Sequence, residues 1–177
     1  MACDLTAGRL WECKEQVGGI KTVYFADFGD LTGLTVGTGA DAGKITTGLT
    51  GKTLYRYELP DYTGNLTETL TASAESGTLF YEQALEITLH KLRAADSDEI
   101  KLLAKGRPHC IVVDNNDNQL LLGFQKGLNV TTVAGQTGTA AGDLSGYVLS
   151  FTASEVQAAP FVTDAITTAN GVNIVSS

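Results

Sequence analysis

Cysteine and histidine are scarce in this sequence, and their positions limit the chemistry that it can support. The three cysteines, Cys3, Cys13 and Cys110, cannot all be paired, and their spacing matches no zinc-binding pattern. The two histidines, His90 and His109, have no acidic partner pattern that would indicate a metal site or a nucleophile with its base. We therefore expect free thiols, no catalytic residues, no metal and no cofactor.

Charge is also sparse, and positive charge most of all. Charged residues make up 18% of the chain, and its 12 Lys and Arg against 20 Asp and Glu give a formal net charge of -8. This balance lacks the basic surface of a protein that grips nucleic acid, so specific DNA binding is not expected. A low charge density is typical of a subunit that buries much of its surface in an assembly.

Long apolar runs are missing as well. No run approaches the roughly 18 residues of a membrane-spanning helix, and the first residues lack the basic and apolar regions of a secretory signal. We expect synthesis in the cytoplasm and no membrane association. The length of 177 residues suits a single domain, residues 1–177, with a sizeable core.

Most of the local patterns in the sequence predict β-strands. Apolar residues 110–113, an Asn/Asp cluster at 114–118 and a second apolar run at 120–122 predict a hairpin. Further strands are predicted at residues 128–133 and, from period-two alternation, at 147–151. The first half adds predicted strands at 20–26, 53–59, 66–72 and 78–91. Successive strands without intervening helices predict a mainly β fold, an antiparallel sandwich or barrel.

One short flanking helix is predicted at about residues 96–105. Asp96 followed by Glu99 resembles a capping box, and Ile100 lies on the apolar face. Gly106 and Pro108 end the pattern. A helix of this length is too short to be stable alone, so it is expected to lie against a sheet or a neighbour.

Residues 29–52 are rich in Gly and Thr and are predicted to form a long, thin arm, because they cannot build a core of their own. Two interpretations remain open: a mobile surface loop, and an arm that orders against a neighbouring subunit. The candidate contact residues at its tip are Gly37, Gly39, Asp41 and Lys44. Their spacing does not match a phosphate-binding loop. The tail, about residues 156–177, is likewise expected to be extended.

A calcium-loop reading of residues 114–125 is the strongest metal alternative. Asp114, Asn116 and Asn118 occupy alternate ligand positions, but Gln119 and Gln125 replace the glycine and glutamate that such a loop requires. A hairpin turn explains the cluster more simply.

Short blocks along the chain resemble a group of tailed-bacteriophage virion proteins. In the first part they are Leu5-Thr6-Ala7-Gly8, Cys13-Lys14, Val17-Gly18-Gly19-Ile20-Lys21 and Val23-Tyr24-Phe25. In the second part they are Leu122-Gly123, Lys126-Gly127-Leu128, Gly138-Thr139, Gly142-Asp143, Gly146-Tyr147, Leu149-Ser150-Phe151-Thr152, Glu155 and Ala159-Pro160-Phe161. Among virion proteins, the chain looks most like a tail tube subunit.

This resemblance implies a homo-oligomeric structural protein in the virion tail, made in the host cytoplasm. Tail tube proteins combine a β-sandwich or barrel with a flanking helix and stack as rings, commonly hexameric, around a channel that carries DNA. Strands would join edge to edge across subunits, and the arm would dock on the next ring or on other virion proteins. The acidic balance would let DNA pass without specific binding.

Two alternatives remain. A capsid-decorating or neck protein of the virion head would use the same sandwich against other partners. A small ligand- or glycan-binding sandwich would use Trp11, Tyr55 and Tyr57 as stacking platforms, although Trp11 is also expected as a core or interface anchor. An enzyme is the least expected class.

Overall fold

The computed structural model describes residues 8–11, 13–31, 33–164 and 166–176. Within them it has two β-sheets, one α-helix and two 3-10 turns at Gly39–Asp41 and Thr168–Asn170. The strands are β1 (Ile20–Ala26), β2 (Lys44–Ile45), β3 (Thr53–Glu58), β4 (Gly64–Ser73), β5 (Thr78–His90), β6 (His109–Asp114), β7 (Gln119–Leu122), β8 (Asn129–Gln136), β9 (Gly146–Glu155), β10 (Phe161–Val162) and β11 (Asn173–Val175), and the helix is α1 (Ala94–Lys105). The predicted mainly β sandwich with one short helix is confirmed.

The larger sheet has seven strands in the order β11-β3-β1-β6-β7-β10-β2. Its centre is antiparallel, and β6 and β7 form the predicted hairpin. The edge strands β2 and β11 run parallel to their neighbours β10 and β3, which are far away in the sequence. Segments from both ends of the chain therefore complete this sheet.

The smaller sheet has four antiparallel strands in the order β4-β5-β9-β8. The β5 strand is 13 residues long, and β9 pairs with it only from Tyr81 to His90. The first residues of β5 and the last residues of β4 therefore project beyond β9 as a two-stranded hairpin. The period-two alternation at Leu85 and Ile87 correctly predicted the buried face of β5.

The two sheets pack face to face around one hydrophobic core. Phe25 of β1 meets Phe151 of β9 with ring centroids 5.1 Å apart, and Val112, Leu85 and Leu149 are buried around them. Alternate residues of each strand supply this core, which is the packing expected of a β-sandwich.

A second core lies on the other face of the seven-stranded sheet, and it overturns the expected shape of residues 29–52. Leu31, Leu34, Ile45 and Leu49 are all buried against this face. The segment therefore does not project as a long hairpin in this chain, because its few large side chains gain more from covering the sheet than from exposure to water.

The C-terminal tail was also expected to be extended, and its described residues include two short strands, but they lie on the domain and do not project from it as an arm. Val162, Ile166 and Val172 are buried in the second core, while β10 and β11 join the large sheet. Both segments thus form a third layer over the sandwich.

The helix starts earlier than predicted. Its N-cap is Arg93, which makes no side-chain capping bond, so the predicted capping box at Asp96 is wrong. Asp96 instead lies in the first turn, where its negative charge suits the helix dipole. Ile100 is buried against the core, and the amide of Gly106 ends the helix on the carbonyl of Leu102, as the pattern indicated.

Candidate functional site: the open face of the four-stranded sheet

The four-stranded sheet has one face toward the core and one face toward solvent. In β5 the core side is Gln83, Leu85 and Ile87, so Glu82 and Glu86 point outward. Cross-strand register then assigns the residues of the other strands to the same outer side. This open face comprises Asn65, Thr67, Thr69, Thr71, Ser73, Thr78, Phe80, Glu82, Ala84, Glu86, Thr88, His90, Asn129, Thr132, Ala134, Gln136, Gly146, Val148, Ser150, Thr152 and Ser154.

The open face has an unusual composition for a protein surface. Short hydroxyl and amide side chains fill most of it, and none of its residues is Lys or Arg. Glu82 is flanked by Thr69 and Ser154 on the neighbouring strands, so its carboxylate stands among neutral groups. The face is therefore smooth, polar and, through its two glutamates, acidic, and it offers no cation to a phosphate.

Both edges of this sheet are open within the described chain. The β4 strand pairs only with β5, and β8 pairs only with β9. Neither strand contains Pro or Lys, the residues that commonly protect a free edge, although β8 carries one bulge between Val130 and Thr132. Two such edges on opposite sides of one sheet can each accept a strand from another molecule.

Buried polar side chains attach this sheet to the rest of the molecule. Gln83 accepts a hydrogen bond from the amide of Gly123 and donates one to Glu68. Glu155 accepts from the amides of Gln125 and Lys126 at 3.1 and 2.8 Å. Buried polar groups that are bonded in this way fix one packing arrangement of the sheets.

The sequence analysis did not predict that Gln83 and Glu155 are buried and attach the sheet to the rest of the molecule. The only signal was a polar residue on the core side of an alternating strand, namely Gln83 between Tyr81 and Leu85, and Glu155 at the end of β9. Alternation alone does not reveal what such a residue bonds to, because its partners lie on distant loops.

The predicted tip residues do lie together. Gly37, Asp41 and Lys44 meet in one tight turn with Gly39, where the amide of Gly37 donates to the carbonyl of Lys44 at 2.8 Å. A Cβ at Gly37 would stand 2.6 Å from the carbonyl oxygen of Asp41, so only glycine fits there. Asp41 and Lys44 form an exposed ion pair of 3.9 Å. Their role as contacts between subunits stays a prediction.

The Asp114 turn has a structural purpose. Both oxygens of its carboxylate accept hydrogen bonds, from the backbone and side-chain amides of Asn116 and Asn118. Burial acts to raise the pKa of Asp114, but the bonds from Asn118 and Asn116 outweigh it and lower the pKa. The carboxylate is used inside the hairpin turn, as the simpler interpretation predicted.

Of the three aromatic residues proposed as a glycan platform, Tyr55 and Tyr57 line one cavity beside α1. Tyr57 packs edge-on against Phe25 at 5.3 Å, while Tyr55 is 37% exposed. Burial first, then the nearby Glu99 and Asp96 carboxylates, raise the pKa of Tyr57 to about 12. Trp11 is 90% exposed, so it is no core residue of this chain, and its role as an interface anchor stays a prediction.

The remaining candidate groups are structural. His109 is buried at the first residue of β6, and its ring accepts from the amide of Gly29 through Nε2 while Nδ1 donates to the carbonyl of Gly123. Cys110 is fully buried, and burial raises the pKa of its thiol, which disfavours the reactive thiolate. Cys3 and the block Leu5-Thr6-Ala7 lie outside the described residues.

Comparison of the chain with protein-family models, curated proteins and solved structures finds no match. Over the residues that the structure describes, no three His, Cys, Asp or Glu side chains cluster as a metal site. No helix within the same residues is long and apolar enough to span a membrane.

Proposed function

We propose that this chain is a structural subunit of a phage virion that assembles into the stacked rings of a tail tube and lets DNA pass through the channel. The observation that carries the proposal is the open face, an exposed sheet surface without Lys or Arg between two strand edges that pair with no other described strand. The resemblance of the short sequence blocks to tail tube proteins supports it.

Ring closure follows from the two edges. In each copy β4 would pair with β8 of the next copy, a head-to-tail contact that closes into a ring if the rotation between copies suits. Pairing would satisfy the backbone groups that both edges leave unpaired in one chain. The result is a continuous barrel of four strands from each subunit, in rings that are hexameric by analogy with the family.

The open face would then line the channel. Its glutamates, Glu82 and Glu86, repel DNA phosphates, and its Thr and Ser side chains give only weak neutral contacts. Without cations in the wall, no counterions are released when DNA enters, so DNA gains little by binding and stays free to move.

The two alternatives differ in the features of the molecule that they would use. A head-associated virion protein could use the same open edges against different partners. A glycan-binding module would use Tyr55 and Tyr57, which line one cavity, although the ring of Tyr57 also packs edge-on against Phe25. The open edges therefore favour assembly over glycan binding.

The first test is assembly. Negative-stain electron microscopy of the purified chain over a concentration series should show rings or hollow tubes, with light scattering to follow their mass. A chain that stays monomeric at every concentration, also with virion partners, would refute the proposed function.

The second test addresses the channel lining. Glu82→Lys with Glu86→Lys changes the net charge by four units, from -8 to -4, and should make assembled rings retain DNA in a salt-dependent manner. The matched control, Asp61→Lys with Glu75→Lys, makes the same charge change at exposed positions outside the open face and should not. Equal DNA retention by both variants would show that the open face does not line the channel.

A further inference from the structure

The N-terminal segment, residues 8–16, is the part of the described chain that stays free of the domain. Leu10 is 87% exposed and Trp11 is 90% exposed. Apart from Glu12, which the structure does not describe, its residues are all exposed and make no hydrogen bond to the described domain. A tryptophan and a leucine side by side in water are a costly arrangement for a monomer and a common one for an interface anchor.

The base of this segment is firmly held. The side chain of Asn116 accepts from the amide of Val17 and donates to its carbonyl, both at 2.9 Å. Asn115 donates to the carbonyl of Gly18 at 2.8 Å. The Asp114 turn therefore fixes the point at which the segment leaves the domain.

A cavity of about 190 Å³ opens between β3 and α1, and we call it the β3–α1 groove. Its walls include Phe28, Tyr55 and Leu102, which are 48%, 37% and 60% exposed. Phe28 stacks on the buried His109 ring at 5.3 Å, and the Arg107 guanidinium lies 4.5 Å from its centroid. The groove is therefore preformed, aromatic and open.

The segment and the groove lie at opposite ends of the large sheet. Ile20, at the start of β1, pairs with Asp114 beside the base of the segment, whereas Ala26, at the end of β1, pairs with His109 beside the groove. The seven residues of β1 separate the two ends by about 20 Å. A segment at one end and a groove at the other end suit a head-to-tail contact that repeats from copy to copy.

The charges of the groove and of the segment are also complementary. The groove wall carries two carboxylates, Asp27 and Glu99, against one guanidinium, Arg107, and Arg9 precedes the Leu10-Trp11 pair in the segment. An Arg brought next to these carboxylates would form an ion pair at the edge of the contact. Such a pair determines the register of the contact more than its affinity.

We propose that Leu10 and Trp11 of one copy dock in the β3–α1 groove of a second copy, with Arg9 facing Asp27 and Glu99. This inference rests on the proposed function, because it supplies the contact between successive copies in an assembly. It assigns the docking arm to residues 8–16, whereas the sequence predicted residues 29–52 for that role.

The test uses fluorescence, since Trp11 is the single tryptophan of the chain. A synthetic peptide of residues 6–17 is titrated into the full-length Trp11→Phe variant, so that the peptide carries the only tryptophan. Docking should shift its emission to shorter wavelengths in a saturable manner. Leu102→Glu in the groove should weaken the binding about tenfold or more.

The control is Leu79→Glu on the projecting β4–β5 hairpin. Leu79 is 58% exposed and Leu102 is 60% exposed, so the two replacements are matched, and the control should leave peptide binding unchanged. Circular dichroism checks that both variants are folded. In the unmodified chain, the emission should shift with rising concentration as particles form.

The outcomes separate the two proposals. Tubes without any peptide shift, or peptide binding that Leu102→Glu leaves intact, would refute the docking and spare the proposed function. Blue-shifted emission of the unmodified chain at every dilution would also refute docking on a second copy. Saturable, groove-dependent binding without tubes would support the contact and count against the tail tube.

Discussion

The replacement Leu49→Ala tests whether residues 29–52 belong to the folded domain. Leu49 is fully buried, with 0% exposure, and shares the second core with Leu34 and Ile45. Truncating a leucine in such a site loses its transfer free energy and leaves a cavity, which costs about 3 kcal/mol within a usual range of 2–5. This is a large part of the roughly 5–15 kcal/mol that stabilises an ordinary domain.

The measurement is urea unfolding followed by far-UV circular dichroism. Tryptophan fluorescence would be a poor probe because Trp11 is exposed in the folded chain. For a chain of this size, a loss of about 3 kcal/mol lowers the melting temperature by roughly 6–12 °C. The matched control is Thr47→Ala, at an exposed position in the same segment, which should change the free energy of unfolding by less than about 0.5 kcal/mol.

A contrary result is easy to recognise. If Leu49→Ala destabilised the chain no more than Thr47→Ala does, the segment would be detachable from the domain. The reasoning from burial would then be wrong, and the free arm predicted from composition would be the better description of residues 29–52.

Two further predictions concern single groups. Because the pKa of Tyr57 is raised from 10.0 to about 12, its contribution to stability is complete below pH 10 and is lost as the pH rises from 10 to 12. In urea unfolding, the Tyr57→Phe variant should therefore lose less stability over this pH range than the unmodified chain. An equal loss in both would contradict the assignment. Gly123 and Gly39 both have positive φ, 63° and 68°, but a Cβ at Gly123 would stand 2.7 Å from the backbone of Gly127, whereas Gly39 has no atom within 4 Å. Gly39→Ala should therefore cost about 1 kcal/mol and Gly123→Ala at least about 3 kcal/mol, and equal melting temperatures would contradict this.

Local patterns in the sequence were enough to predict the elements of the sandwich. Alternation along β5 identified its buried face, and the Asn/Asp cluster at 114–118 identified the hairpin turn. The end of the helix at Gly106 was equally readable. These signals are local, because a strand, a turn or a helix end depends on residues that are neighbours in the chain.

The open face was only partly predictable. Alternation indicates that Glu82 and Glu86 share one side of β5, but it does not say which strands stand beside them. The order β4-β5-β9-β8 brings strands from both halves of the chain together, and only that order shows that no Lys or Arg joins the glutamates on the open face.

Tertiary contacts decided where the glycine-rich segment, residues 29–52, and the C-terminal tail pack. Leu31, Leu34, Ile45 and Leu49 are spaced too irregularly to give a periodic signal, so composition alone predicted an arm. Their burial depends on an apolar sheet face that the rest of the chain presents. The sequence by itself determined the main strands of the sandwich, the hairpin turn at residues 114–118 and the end of the helix, since those choices are local. The layers, the short strands β10 and β11, the open edges and the free N-terminal segment followed from contacts between residues far apart in the chain.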